Sequence, residues 1–211
     1  MKTYQTGNIR NVVLLGSSKS GKTTLAEAMM FEGKVIDRRG TIEAKNTVSD
    51  NTEVEQIYQR SIYSTPLYTE FMDNKLNIID TPGQDDFVGG VISGFKVADA
   101  GVMIVNATQG VEVGTEIFAR YADQYKMPLI IGVNQLDSEK ASWETTIDSL
   151  KQTFGNKVVP VQFPVAVGPG FDGFVDVLKQ KLYRFKDENG TREDLEIPAE
   201  FADQAEEYRL A

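Results

Sequence analysis

The chain has 211 residues, 41% of them hydrophobic, enough to bury a full core as one domain or as one domain with an appendage. It contains no cysteine, which excludes a disulfide scaffold and a thiolate metal site and fits a reducing compartment. The net charge is −9, with acidic residues gathered from Asp187 to Glu207, so no basic face offers itself for direct, broad nucleic-acid binding. The segment Met1–Gly7 lacks the apolar centre of a secretory signal and no later run reaches the length of a membrane span, so a cytoplasmic protein without membrane contact is expected, and a monomer.

The first predicted strand is the apolar run Ile9 to Leu15. It leads into Gly16-Ser17-Ser18-Lys19-Ser20-Gly21-Lys22-Thr23-Thr24, after which Leu25, Ala26, Met29 and Met30 carry helical spacing to about Phe31. Strand, glycine loop and helix in this order aim several backbone N–H groups at one spot, where the helix dipole adds positive charge. Such a pocket holds phosphates. Gly16 and Gly21 let the backbone wrap the anion, Lys22 reaches the β- and γ-phosphates, and the Thr23 hydroxyl is placed to ligate Mg²⁺.

Residues 33–51 are polar and aperiodic and read as a mobile loop. Ile62 to Phe71 and Leu76 to Ile79 read as a hairpin turning at Asp73-Asn74. Asp80-Thr81-Pro82-Gly83 closes the second of these strands. The Asp80 carboxylate can hold Mg²⁺ through a water, and the Gly83 N–H can reach a γ-phosphate; a bare turn is the competing reading. A glycine-weakened helix follows from Val88 to Ala98, then a buried strand from Ala100 to Ala107, a helix from Val113 to Tyr125 and a buried strand from Met127 to Val133.

That strand ends in Asn134-Gln135-Leu136-Asp137. The Asp137 carboxylate can accept from both the N1–H and the exocyclic amine of guanine, a pair that adenine does not offer. An amphipathic helix spans Ala141 to Phe154. Alternating strands and helices with continuous apolar strands predict a three-layer α/β domain, a P-loop NTPase with a mostly parallel sheet. After Gly155 the texture changes: Val158 to Val167 is apolar but carries Pro160 and Pro164, a short helix is expected near Phe174 to Lys179, Asn189-Gly190 favours a hairpin turn, and an acidic helix starts at Pro198.

Phosphate loop, Asp80-Thr81-Pro82-Gly83 and Asn134-Gln135-Leu136-Asp137 stand in the order of a GTP-binding domain, and the chain resembles the G domain of translational GTPases, closely that of elongation factor G. The matching text is Leu76 to Gly83 with Asp86-Phe87, Val105-Asn106-Ala107-Thr108-Gln109-Gly110-Val111, and Pro160-Val161-Gln162-Phe163-Pro164 leading to Gly173-Phe174-Val175-Asp176. The resemblance implies GTP or GDP with Mg²⁺ as ligands, the ribosome as partner through the full-length protein, and a role in translocation. A ribosomal protection factor against antibiotics and a GTP-binding switch that does not hydrolyse remain alternatives.

Departures from the family pattern fall around the phosphates and the base. Gln84 stands where a His positions the attacking water, Lys19 where the loop carries an Asp, Gln135 where a Lys stem packs on the base, and Ser61 where a Thr ligates Mg²⁺. Ser18 and Arg60 replace the apolar wall around that water; Arg60 either reaches the γ-phosphate or faces solvent. A divergent paralogue is implied that hydrolyses GTP slowly or not at all, with Gln84 as its catalytic residue. The fifth motif, Ser-Ala, is absent, and Val165-Ala166 stands where it would fall. Either that motif is degenerate, or residues 157–211 begin the α+β insert of elongation factor G behind a GTP-binding core of 1–156, with the last strand and helix of the G domain beyond residue 211. The second reading predicts a weakly occupied pocket, disordered switches and exposed apolar surface.

Overall fold

The computed structural model describes residues 3–187 and 190–211, and the chain divides into two compact units. The first comprises Met1–Val105 and Glu112–Asn134. Its strands are β1 (Ile9–Leu15), β2 (Thr65–Phe71), β3 (Asn74–Asp80), β4 (Ala100–Asn106) and β5 (Leu129–Asn134), ordered β2-β3-β1-β4-β5 in one sheet. The central β1 runs parallel to β3 and β4, and β2 pairs antiparallel with β3. Central strands buried on both sides need unbroken apolar sequence, which Val13-Leu14-Leu15, each 0% exposed, supplies.

Side chains alternate across β1, so successive residues serve different layers. Leu14 joins Ala26 and Met30 of α1 (Lys22–Glu32) with Leu67 and Ile78 in one buried cluster. Val13 meets the opposite layer, where Gly94 of α3 (Val88–Val97) lies against it. Phe95 of α3 stacks on Tyr125 of α4 (Val113–Tyr125) at 5.7 Å. A Cβ on Gly94 would stand 2.8 Å from Val13 Cγ2 and 3.5 Å from Thr81 Cγ2. Gly94→Val therefore overpacks the seam between helix and sheet, and a loss of about 2 kcal/mol is expected in urea unfolding; unchanged stability would mean that α3 docks elsewhere.

The hairpin forms, with its turn at Met72-Asp73, both at positive φ (46° and 59°), one residue earlier than the Asp73-Asn74 expected. A short helix, α2 (Glu53–Tyr58), was not anticipated; a capping box between Thr52 and Glu55 starts it. Strand β5 stands at the end of the sheet order, and its Ile130 is 64% exposed.

The second unit comprises Asn106–Val111 and Gln135–Ala211. It holds α5 (Trp143–Phe154), an antiparallel sheet of β6 (Gln162–Pro164), β7 (Gly173–Asp176), β8 (Lys181–Phe185) and β9 (Arg192–Leu195), and α6 (Ala199–Leu210). Ser142 caps α5, and Ser142 N–H donates to Ala107 O at 3.1 Å. Phe201 and Tyr208 of α6 pack on the buried Phe163 of β6. The helix expected near Phe174 to Lys179 is instead strand β7 and a turn, because Asp176 Oδ1 accepts from Leu178 and Lys179 N–H and ends the strand. In the link from β8 to β9, Lys186 N–H donates to Thr191 O at 2.8 Å; the expected Asn189-Gly190 turn falls on Asn189, outside the described residues.

Candidate nucleotide and metal site

Strand β1 delivers the chain into the turn Gly16–Gly21, and glycine is required at both ends. Gly16 sits at φ 137° with Ile104 O where a Cβ would go, and Gly21 at φ 103° with Asn134 Nδ2 in that place. No side chain caps α1 at Gly21, so its first N–H groups face the turn and remain available to an anion. Lys19 also adopts the left-handed region, at φ 64°. Ser18, Lys19 and Thr24 are exposed, whereas Ser17 and Ser20 are buried with hydroxyl oxygens that lack a hydrogen-bond partner.

Lys22 turns back over this loop. Its Nζ donates to Gly16 O at 2.8 Å and Ser17 O at 3.0 Å. Burial pulls its pKa down to about 8, although Asp80, Asp50 and Glu112 act in the opposite direction. Beside it, Gly83 lies so close that a Cβ would come 2.5 Å from Lys22 Nζ and 2.7 Å from Ser18 N. Glycine is thus the residue that lets the segment after β3 approach the turn Gly16–Gly21. Gln84 follows, half-buried, and opens the turn Asp85–Phe87.

Asp80, 0% exposed, gathers hydroxyls from distant segments. Its Oδ2 accepts from Thr23 Oγ1 at 2.7 Å and from Ser49 Oγ at 2.6 Å, while Ser61 Oγ stands 3.3 Å from Thr23 Oγ1. Burial holds the Asp80 carboxyl above the usual carboxylate range, against the hydroxyls and Lys22. Asp50, 5% exposed, is pushed up to about 6 by burial, with the Ser61 hydroxyl opposing the shift. Thr23, Ser61 and Asp80 therefore lie together, with Ser49 and Asp50 beside them.

These groups fit a magnesium ion. Asp80 Oδ1 is buried without a hydrogen-bond partner, which a divalent cation or its waters would supply, and the buried Asp50 carboxylate, reached by the Ser61 hydroxyl, stands beside it. No set of three His, Cys, Asp or Glu side chains converges on a metal-sized site among the described residues. Hydroxyls and one carboxylate would hold the ion, leaving positions for phosphate oxygens.

Glu55, 1% exposed, braces the chain just after Ser61. Its Oε1 accepts from Ile62 N–H at 3.0 Å and Tyr63 N–H at 3.1 Å, just after Ser61. Burial pushes its pKa up, but those amides and Thr52 outweigh it and the carboxyl ends below its ordinary value. The chain just after Ser61 is thereby bonded to Glu55 through two backbone amides. Arg60 is exposed, its Nε 3.4 Å from Tyr58 O, which is the solvent-facing alternative.

At the end of β5, Asn134 Nδ2 donates to Ser20 O at 2.9 Å and so ties the end of that strand to the turn Gly16–Gly21. Gln135 and Asp137 belong to the second unit. Gln135 takes φ 61° and its Oε1 accepts from Asn106 Nδ2 at 2.8 Å; Asp137 is exposed in the turn that Ser138 N–H closes on Gln135 O at 3.2 Å.

A family model described as the elongation factor Tu GTP binding domain matches residues 7–198. An elongation factor G-like protein of Thermotoga maritima is 36% identical over 200 residues, covering 95% of this chain and 28% of its own length. A protein of the same description from Mycobacterium tuberculosis is 35% identical over 181 residues, 86% of this chain and 25% of its own. Elongation factor G of Mycoplasma pneumoniae is 33% identical over 211 residues, 99% of this chain and 30% of its own. A crystal structure from Thermus thermophilus superposes with a TM-score of 0.89 at 31% identity, covering 96% of this chain and 30% of that one. The chain thus spans only 25% to 30% of the length of these three curated relatives.

Proposed function

Because this chain belongs to the elongation factor Tu GTP binding domain family, we propose that it is the GTP-binding part of an elongation factor G-like protein that acts in ribosomal translocation and hydrolyses GTP slowly. The observation that carries this is the cluster of Thr23, Asp80 and Ser61 beside the buried ammonium of Lys22. In this reading the amides of Gly16 to Thr24 and of Gly83 bind the phosphates. Thr23 and Ser61 hold Mg²⁺, and Asp80 does so through a water. Mg²⁺, when bound, neutralises charge on the β- and γ-phosphates.

Asn134, Gln135 and Asp137 read guanine, and Gln84 orients the attacking water. Gln84 lacks the protonatable ring expected at its place, and Gln135 the cationic stem, which supports slow hydrolysis and weakened binding. The same substitutions support the second reading, a switch that binds GTP without turnover. Residues 157–211 begin an insert on the GTP-binding core, and the full-length protein works as a cytoplasmic monomer on the ribosome. No helix among the described residues is long and apolar enough to cross a membrane.

Two measurements test this. In nucleotide titrations, guanine nucleotides should win over adenine nucleotides, and Asp137→Ala should lose about tenfold or more of the guanine affinity with little change for adenine; equal competition by ATP overturns the base assignment. With the full-length protein and ribosomes, phosphate release should stay below about 1 per second. Faster turnover overturns impaired hydrolysis, and GTP binding without any ribosome-dependent release favours the switch.

A further inference from the structure

Glu27 lies on α1 four residues beyond Thr23, one turn along the same face, and is 1% exposed. Its Oε2 accepts the backbone N–H of Gly40 at 2.7 Å and its Oε1 that of Val48 at 2.6 Å. Those amides are the two ends of a closed loop. Inside it, Thr41 N–H donates to Asn46 Oδ1 at 2.8 Å, Ala44 N–H to Thr41 Oγ1 at 3.1 Å and Asn46 N–H to Thr41 O at 3.4 Å. Gly40 is seated so tightly that a Cβ would strike Asn46 O. The chain leaves this loop directly into Ser49, whose hydroxyl bonds Asp80, and Asp50, whose N–H donates to Thr47 Oγ1 at 3.3 Å.

A buried carboxylate is unfavourable unless its lone pairs are filled, and charge-assisted bonds to amides fill them. An apolar side chain of the same size would pack this space but leave the Gly40 and Val48 amides without a partner. We infer that Glu27 is a positioning residue: it clamps the 40–48 loop onto α1 and so sets Ser49 and Asp50 against Asp80. One helix then carries both Thr23, which faces the metal site, and the carboxylate that fixes the register of the first switch on that site. The two clamp bonds join groups of this chain only, Glu27 to the Gly40 and Val48 amides. Only the consequence for magnesium rests on the proposed GTP-binding function.

Glu27→Gln keeps the size but turns one acceptor into an N–H facing an N–H. In the ligand-free protein, trypsin cleavage at Arg38, Arg39 and Lys45 should accelerate about tenfold, the effect of losing one charge-assisted bond. The Mg²⁺ concentration that half-saturates GTP retention should rise by about the same factor, while GDP binding in the presence of a chelator stays unchanged, because the phosphate loop is untouched. Glu27→Asp, too short to span both amides, should fall between. A merely structural glutamate would lower the melting temperature and leave the magnesium requirement where it was. Wild-type cleavage and magnesium curves for Glu27→Gln overturn the proposal. Should that variant not fold, hydrogen exchange on the unmodified protein decides: the Gly40 and Val48 amides should exchange about a hundredfold more slowly than that of the exposed Glu43, and equal rates overturn the clamp. If the protein binds no GTP, the proposed function fails, but cleavage and exchange still judge Glu27.

Discussion

Lys22→Met should lower the affinity for GTP and GDP by about a thousandfold, because it removes the cation buried in the turn Gly16–Gly21 and would leave the ligand's charge uncompensated there. The ligand-free protein should keep its stability. The environment of Lys22 opposes its charge, with a pKa near 8 against an ordinary 10.5. Between those values the unfolded chain binds a proton that the folded chain does not, so stability rises with pH across that window, by about 3 kcal/mol in total, and the methionine variant lacks this rise. Binding carries the opposite sign. Bound phosphates keep the ammonium protonated, so above pH 8 the complex takes up a proton that the free protein has lost, and affinity should fall by up to tenfold per pH unit. Titration calorimetry across pH 7 to 10 checks both. An affinity that does not change above pH 8, or a methionine variant that still binds tightly, would mean that the lysine answers to its carbonyl partners alone.

The parts of this molecule that were legible in the sequence are those whose chemistry is local. Gly16, Gly21, Lys22 and Thr23 announce a phosphate loop through spacing alone, and the apolar runs around them give the parallel strands. The hairpin of β2 and β3 followed from alternation, and its turn slid by one residue because Met72 also accepts positive φ. The capping box of Thr52 and Glu55 was readable but was masked by the polar run before it. The helix expected near Phe174 to Lys179 is strand β7 because Val175, 0% exposed, pairs between Phe163 and Leu182 in the sheet and Asp176 then turns the chain.

The rest was hidden because it depends on chain segments that meet only in the fold. Nothing in Ser49 or Asp50 signals that they stand beside Asp80, since the loop before them has no period. Glu27 and Glu55 look like ordinary surface glutamates of short helices, yet each is 1% exposed and holds backbone amides. Between them they hold the chain on both sides of the Ser49 and Ser61 hydroxyls: Glu27 at Val48, ahead of Ser49, and Glu55 at Ile62 and Tyr63, behind Ser61. The segment 33–51 is thus tied down twice, by Val35 and Ile36 against the apolar cluster and by the Glu27 carboxylate at Gly40 and Val48.

Asp80→Asn should separate stability from binding most clearly. The substitution keeps an oxygen where Thr23 and Ser49 donate, at 2.7 and 2.6 Å, and replaces only the oxygen that has no partner. Because the carboxyl is held above its ordinary range by burial, the folded chain binds more protons than the unfolded one over the acid range, and ionisation subtracts from stability as pH rises toward neutrality. Asparagine carries no such penalty. The ligand-free variant should melt no lower than the parent at pH 7, and should show a shallower decline in stability on going from acid to neutral pH, the share due to Asp50 remaining. Magnesium-dependent GTP binding should weaken about a hundredfold, since a neutral amide does not bind the waters of a divalent ion as a carboxylate does. Combining Asp80→Asn with Lys22→Met should give less than additive loss of binding, because each charge is partly compensated by the other. A melting temperature several degrees lower for Asp80→Asn would assign the carboxylate to holding the fold. An unchanged or higher one, with binding lost, means that Asp80 and Lys22 are charges whose desolvation the fold tolerates because nucleotide and metal relieve it.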